Sequence, residues 1–198
     1  MNNLTDVVKQ LIIINVLLYV ATHLPVTAFL QRYLTLYIPT SEHFKPIQLV
    51  THMFMHADIG HLFFNMLGLF FFGPWLEKLW GAKKFLFFYL FCGIGAMLAH
   101  MMIGFDYDSP VLQSVLGASG AVYGIVLGFG MLFPNVKVML LFPPIPLKAK
   151  YMALMYIGYD LYMGLSGSMS TTAHFAHLGG ALFGFLLIIF WRKFPSQM

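Results

Sequence analysis

Apolar residues in this chain fall in long runs rather than in alternation: roughly Val7–Leu24, His61–Trp80, Lys84–Phe105, Ser119–Phe133, Leu147–Leu165 and His174–Trp191. A bilayer crossing needs about 20 residues of helix. The six runs therefore predict an all-α polytopic membrane protein, a six-transmembrane-helix bundle forming one domain over residues 1–198. The stretch Val26–His56 breaks the pattern, because Pro39 and Pro46, just after Pro25, interrupt a segment that is already too polar. It reads as a large first loop whose amphipathic pieces, such as Phe29–Leu34, lie in the membrane interface. No small-residue cleavage site follows the first apolar run, so it reads as a retained span rather than a signal peptide.

Composition changes the picture in one respect. Of 198 residues, 60% are hydrophobic and 9% charged, against about 25% charged in a soluble domain. That excludes a water-covered particle, and the wealth of apolar surface excludes disorder. The single cysteine, Cys92, excludes an internal disulfide framework and a cysteine-based zinc cluster. The placement of basic residues says more than their number. With the N-terminus inside, the inner segments hold Lys9, Lys78, Lys83, Lys84, Lys137, Lys148, Lys150, Arg192 and Lys193, whereas the outer loops hold only Arg32 and Lys45. This bias predicts that both termini are cytoplasmic. The loop with Asp106 and Asp108 and no basic residue then lies outside.

Polar groups at membrane depth are costly and need a reason to be there. They form four groups: His52, His56, His61 and Asn65 entering the second span; Gly117-Ala118-Ser119-Gly120 opening the fourth, with Tyr123 one turn later; Ala176-His177-Leu178-Gly179-Gly180, then Gly184, in the sixth; and Asp160 alone in the fifth. Counting from the basic inner edge at about 1.5 Å per residue, His61 stands roughly 25 Å up, Ser119 roughly 27 Å and His177 roughly 22 Å. Three groups from three spans thus share one height. The fourth span is only roughly 22 Å long, so Ser109–Ala118 must descend to meet it. Non-helical backbone at that depth needs protein or water around it, which predicts a submerged, hydrated pocket with Ser119 at its floor.

A serine hydroxyl becomes a nucleophile when a base takes its proton, and His177 is placed to do so. The oxyanion that follows needs donors already in position. The unpaired N–H groups at the start of the fourth span offer them, as do His61 and Asn65, four apart on one helical face. Gly117 and Gly120 let the backbone turn beside the serine. Gly180 and Gly184 let the sixth helix approach a neighbour closely, and Tyr123 can present its ring to the imidazole.

With these residues the sequence resembles the rhomboid family of intramembrane serine proteases, over roughly Gln10–Arg192. The family's Gly-x-Ser-Gly motif falls on Gly117-Ala118-Ser119-Gly120, and its Ala-His-x-x-Gly-x-x-x-Gly pattern on Ala176, His177, Gly180 and Gly184. By resemblance Ser119 is the nucleophile and His177 the base of a catalytic dyad. His61 and Asn65 match the His-x-x-x-Asn motif used beside the nucleophile for oxyanion stabilisation. Tyr123 matches the tyrosine that packs on the catalytic histidine, His52 and His56 match further histidines upstream, and Glu77 with Gly81 matches the end of span two. His174 also follows an alanine, but meets His177 three residues on instead of glycine, and is set aside. One departure is clear: Phe44-Lys45-Pro46-Ile47-Gln48 lacks the Trp-Arg pair that many members carry before the first histidine. The resemblance implies cleavage of transmembrane proteins with a single span, in or near that span, after a small residue, in a lipid bilayer. It implies no metal or cofactor, and no nucleic-acid partner is expected. The short tails point to a bacterial inner membrane.

Asp160 tempts as a third member. It lies roughly 15 Å above Lys150, several ångströms below the dyad, so a hydrogen bond to a neighbouring helix, or protonation, is expected instead. Two other functions compete. A non-catalytic rhomboid-like binder of membrane helices would usually lack the serine or histidine. A metal transporter or metalloenzyme could use His52, His56 and His61, or His174 and His177. No carboxylate or cysteine except Asp58 joins them at the same depth, so a metal site is not expected.

Overall fold

Each of the six apolar runs forms a helix in the computed structural model, which describes residues 4–103, 114–140, 144–166 and 174–194. The runs become α1 (Asp6–His23), α4 (Ile59–Trp80), α5 (Ala82–Ile103), α6 (Ser119–Leu132), α7 (Ala149–Leu165) and α8 (His174–Lys193). The first loop adds two short helices, α2 (Phe29–Leu34) and α3 (Gln48–Thr51), and the strand β1 (Leu36–Tyr37). β2 (Ser114–Val115) precedes α6, and a hairpin of β3 (Lys137–Met139) and β4 (Pro146–Lys148) joins α6 to α7. By length and composition α1, α4, α5 and α8 can each cross a membrane, while α6 is a shorter apolar helix. The loop with Asp106 and Asp108, and the upper part of the descending segment before Ser114, lie outside the described residues.

Local chemistry sets the helix ends. Asp58 has extended backbone and its carboxylate accepts the His61 N–H at 2.9 Å, capping α4. Beside that N–H the Asp58 carboxyl is held below its usual range. Gly81, at φ 80°, closes α4 with its N–H on the Glu77 carbonyl. The Glu77 side chain then turns to another helix, accepting the N–H groups of Val7 and Val8, both at 3.0 Å, and the Thr5 hydroxyl. A buried carboxylate thereby satisfies the open donors of the first turn of α1.

α6 is the hub, packed against α4, α5, α7 and α8. Glycine makes this possible. A Cβ on Gly180 would overlap the Gly120 carbonyl, and one on Gly184 would press to 3.2 Å from the Gly124 Cα. α6 therefore carries a matching stripe, Gly120, Gly124 and Gly128, that answers the pair on α8. Phe85, Phe88, Tyr89, Leu69, Leu76 and Ile125 fill the interior. The outside is apolar as well: Leu17, Phe63, Phe64, Leu154, Leu182 and Leu186 are exposed, as lipid contact demands and water contact would not tolerate.

The first loop is tied down in a way that the sequence pattern does not announce. β1 pairs antiparallel with β2, Leu36 opposite Val115 and Tyr37 opposite Ser114. Buried Gln48 donates to the Tyr33 and His43 carbonyls at 3.1 and 3.0 Å and accepts the Lys45 N–H at 3.0 Å. The His52 carbonyl accepts the Gly117 N–H at 2.8 Å. The loop thus clasps the backbone that leads into Ser119. α2 leaves Phe29 and Tyr33 exposed, in keeping with an interfacial position.

Candidate active site

Ser119 is the first residue of α6, which places it beside helix N–H groups that have no partner within the helix. Gly117 and Ala118 before it are buried, so the non-helical approach is enclosed by protein as expected. Gly117 has φ 120°, a left-handed conformation that side chains avoid. It also leaves room: a Cβ there would lie 2.6 Å from His61 Nε2 and 3.7 Å from Ser119 Oγ. A small cavity of about 20 Å³ beside Ser119, lined in part by His52, Leu116 and Ala176, has space for roughly one water molecule.

The Gly120–Gly180 contact brings α8 against α6, and His177 Nε2 lies 2.8 Å from Ser119 Oγ. Tyr123, one turn along α6, stacks on the His177 ring with centroids 4.3 Å apart and planes 14° from parallel. The imidazole is therefore fixed in plane as well as in reach.

Its other nitrogen meets the hydrogen bond to a neighbouring helix expected of Asp160, and overturns the height argument that kept this residue from the dyad. His177 Nδ1 lies 3.1 Å from Asp160 Oδ2, although rise per residue had placed Asp160 too low. The choice of reference explains part of the discrepancy and the length of the imidazole the rest. The Lys150 N–H bonds the Pro134 carbonyl, so the foot of α7 is level with the end of α6. Measured from there, Asp160 is still about five residues, or roughly 7 Å, below Ser119. An imidazole with a hydrogen bond at each end bridges such a step, and backbone heights alone do not count it. The other carboxylate oxygen pairs with His174 Nδ1, and the Tyr123 hydroxyl interacts with the same group. Asp160 is 1% exposed.

A second expectation falls with the first. A carboxylate does join His174 and His177, and ligand atoms of the three residues lie within 4.8 Å of one another, close enough to hold a metal ion. His174 engages Asp160 through Nδ1 and stands 6.4 Å from the His177 ring, edge to face. Two signals in the sequence pointed here: Asp160 is an ionisable residue deep in an apolar run, and His174 and His177 are three apart on one helical face.

The second-span residues divide. Ala57 N–H approaches His61 Nδ1 at 3.5 Å, which leaves the proton on Nε2, the nitrogen beside Gly117. Asn65 instead donates to the His61 carbonyl at 2.9 Å, within its own helix; one amide hydrogen remains for another acceptor. His56 packs edge to face on His61, 4.9 Å between centroids, and His52 bonds the Gln48 carbonyl at 2.9 Å. Burial pushes both down to about pH 4, with His61 adding to the effect at His56. They are neutral braces at neutral pH. His100, buried on α5, also lies close enough to interact with His177, and nothing in the sequence pattern singled it out.

The chain is similar in sequence to known proteins. The chain is 30% identical over 185 residues to Rhomboid protein 1, mitochondrial, of Saccharomyces cerevisiae, covering 91% of this chain and 52% of that one. It is 30% identical over 188 residues to RHOMBOID-like protein 12, mitochondrial, of Arabidopsis thaliana (89% and 55%). It is 31% identical over 159 residues to Rhomboid protease AarA of Providencia stuartii (74% and 56%). The chain spans about half the length of these curated relatives. Residues 43–194 match the Rhomboid domain, the stretch that holds every side chain of the site, and the chain belongs to the rhomboid family.

Proposed function

We propose that this protein is an intramembrane serine endopeptidase that cleaves transmembrane proteins in or near their spans. The observation that carries the reading is the 2.8 Å pairing of Ser119 Oγ with His177 Nε2 at the start of a helix. Ser119 Oγ attacks the scissile carbonyl carbon while its proton passes to His177 Nε2. The resulting oxyanion is met by the Ser119 N–H, the dipole of α6 and His61 Nε2–H, with Asn65 on the same face as a lesser donor. His177 returns the proton to the departing amine nitrogen as the carbon–nitrogen bond breaks. Water then attacks the acyl ester, gives its proton to His177 and releases the acid, with Ser119 recovering its proton. The stacked ring of Tyr123 holds the imidazole between the two positions.

Several features support the setting. Relatives named as proteases, AarA among them, are similar in sequence to this chain, and the apolar exterior suits a bilayer. The basic residues favour six crossings with both termini on the cytoplasmic side, and a bacterial inner membrane remains our reading. A second function has one observation in its favour. Asp160, His174 and His177 could chelate a divalent transition metal, but that would occupy the His177 nitrogen opposite Ser119 and leave the serine pairing without a purpose.

Labelling of detergent-purified protein with a serine-reactive fluorophosphonate tests the choice. Wild type should label, and Ser119→Ala and His177→Ala should not, while both still insert and fold. Labelling of either variant at the wild-type rate sinks the assignment. Stoichiometric metal in the purified protein, with activity lost to a chelator, would move the weight to the metal reading.

A further inference from the structure

We propose that Asp160 is the positioning carboxylate for His177, so that this chain operates with three side chains in line, Ser119–His177–Asp160, rather than with a bare pair. The inference rests on the protease reading and adds a residue to that same site. An ionised carboxylate only accepts hydrogen bonds. The 3.1 Å contact therefore requires the His177 proton on Nδ1, which leaves Nε2 unprotonated and facing Ser119 Oγ at 2.8 Å. That is the one neutral form able to take the serine proton. The opposite tautomer would set a nitrogen lone pair against a carboxylate oxygen.

His174 makes the arrangement rigid. With Oδ2 on His177 and Oδ1 on His174 Nδ1, the carboxylate has both oxygens engaged and is held against rotation. It is almost fully buried, so its hold on His177 is not diluted by water. When His177 becomes an imidazolium during the reaction, Asp160 lies next to the new charge and stays ionised. An amide cannot copy this. In Asp160→Asn the single remaining oxygen can serve His174 or His177 but not both. If His174 keeps it, the amide N–H₂ faces Nδ1 and drives the His177 proton to Nε2, the nitrogen that must be free.

The test uses the full chain in detergent, the fluorophosphonate as probe and nitrogen-15 histidine NMR. Wild type should show a hydrogen-bonded proton on His177 Nδ1, assigned by its loss in His177→Ala and its retention in His174→Ala. Asp160→Asn should slow labelling by about 10²- to 10⁴-fold and shift the proton to Nε2, and Asp160→Glu should recover part of the rate. A folded Asp160→Asn that labels at the wild-type rate overturns the proposal. So does a wild-type His177 with its proton on Nε2, a result that stands even if the variant fails to fold. Absence of labelling in folded wild type would instead remove the protease reading on which the proposal depends.

Discussion

Among the described residues two carboxylates are buried, Glu77 in the last turn of α4 and Asp160 within α7, 6% and 1% exposed. Each meets the same physical demand, since an anion out of water must find donors. The donors differ. Glu77 takes two backbone N–H groups and a hydroxyl from the first turn of α1, none of which exchanges a proton near neutral pH. Asp160 takes the nitrogens of two histidines, one of which touches a serine on a third helix. A buried acid surrounded by inert donors holds helices together, whereas one surrounded by imidazoles governs where a proton sits. Burial alone does not separate the two cases; the chemistry of the donors does.

The widest gap between them should appear in rate. Where Asp160→Asn slows labelling by orders of magnitude, Glu77→Gln should leave the rate per folded molecule within about twofold, because Glu77 touches nothing in the site. A large loss of rate in a folded Glu77→Gln would break the comparison. In stability the order reverses for Glu77→Gln itself. Its amide turns a donor toward the α1 donors, which should cost about 2–4 kcal/mol, read as a lower midpoint of unfolding in denaturant. An unchanged midpoint would mean that the cap does not hold α1 in place.

The neutral braces predict a smaller effect with a definite sign. His52 and His56 are pushed down to about 4 by burial, so the unfolded chain binds their protons more readily than the folded one. Their contribution is complete above about pH 6.5 and is lost as pH falls toward 4, each histidine costing about 1–2 kcal/mol near pH 5.5. Thermal unfolding measured from pH 7.5 to 5 should track this fall, and His52→Gln should flatten it. The smallest effect belongs to Asn65. Since its amide already bonds the His61 carbonyl and the Ser119 N–H is untouched, Asn65→Ala should slow labelling by less than about tenfold. A loss equal to that of Ser119→Ala in a folded variant would assign Asn65 a different part.

Much of the site was legible in the chain because its parts are local. Ser119 stands inside a four-residue motif, His177 has its glycines at fixed offsets, and Gly117 needs a conformation that its type supplies. The close approach of α8 could be foreseen from Gly180 and Gly184. The answering stripe at Gly120, Gly124 and Gly128 has the same spacing, but next to Ser119 the first of these suggests a turn, whereas it lies within α6 against Gly180. The reach of Asp160 to His177 escapes spacing arguments for a different reason. Rise per residue compares backbone heights, and a histidine with hydrogen bonds at both nitrogens joins groups several ångströms apart in height. The clasp of β1 on β2 had no signature, since two residues on each side are too few to show alternation.

By itself, then, the sequence determined the helices, the apolar exterior, the family and the chemical identity of the serine and histidine, all of which depend on residue type and on spacing within a single segment. Only the tertiary structure decided which way each polar side chain spends its hydrogen bonds: Asn65 on its own helix, Glu77 on α1, and Asp160 between His174 and His177. The reason is physical. A buried polar group takes whichever partners packing brings within about 3 Å, and spacing along one helix says nothing about side chains that arrive from another.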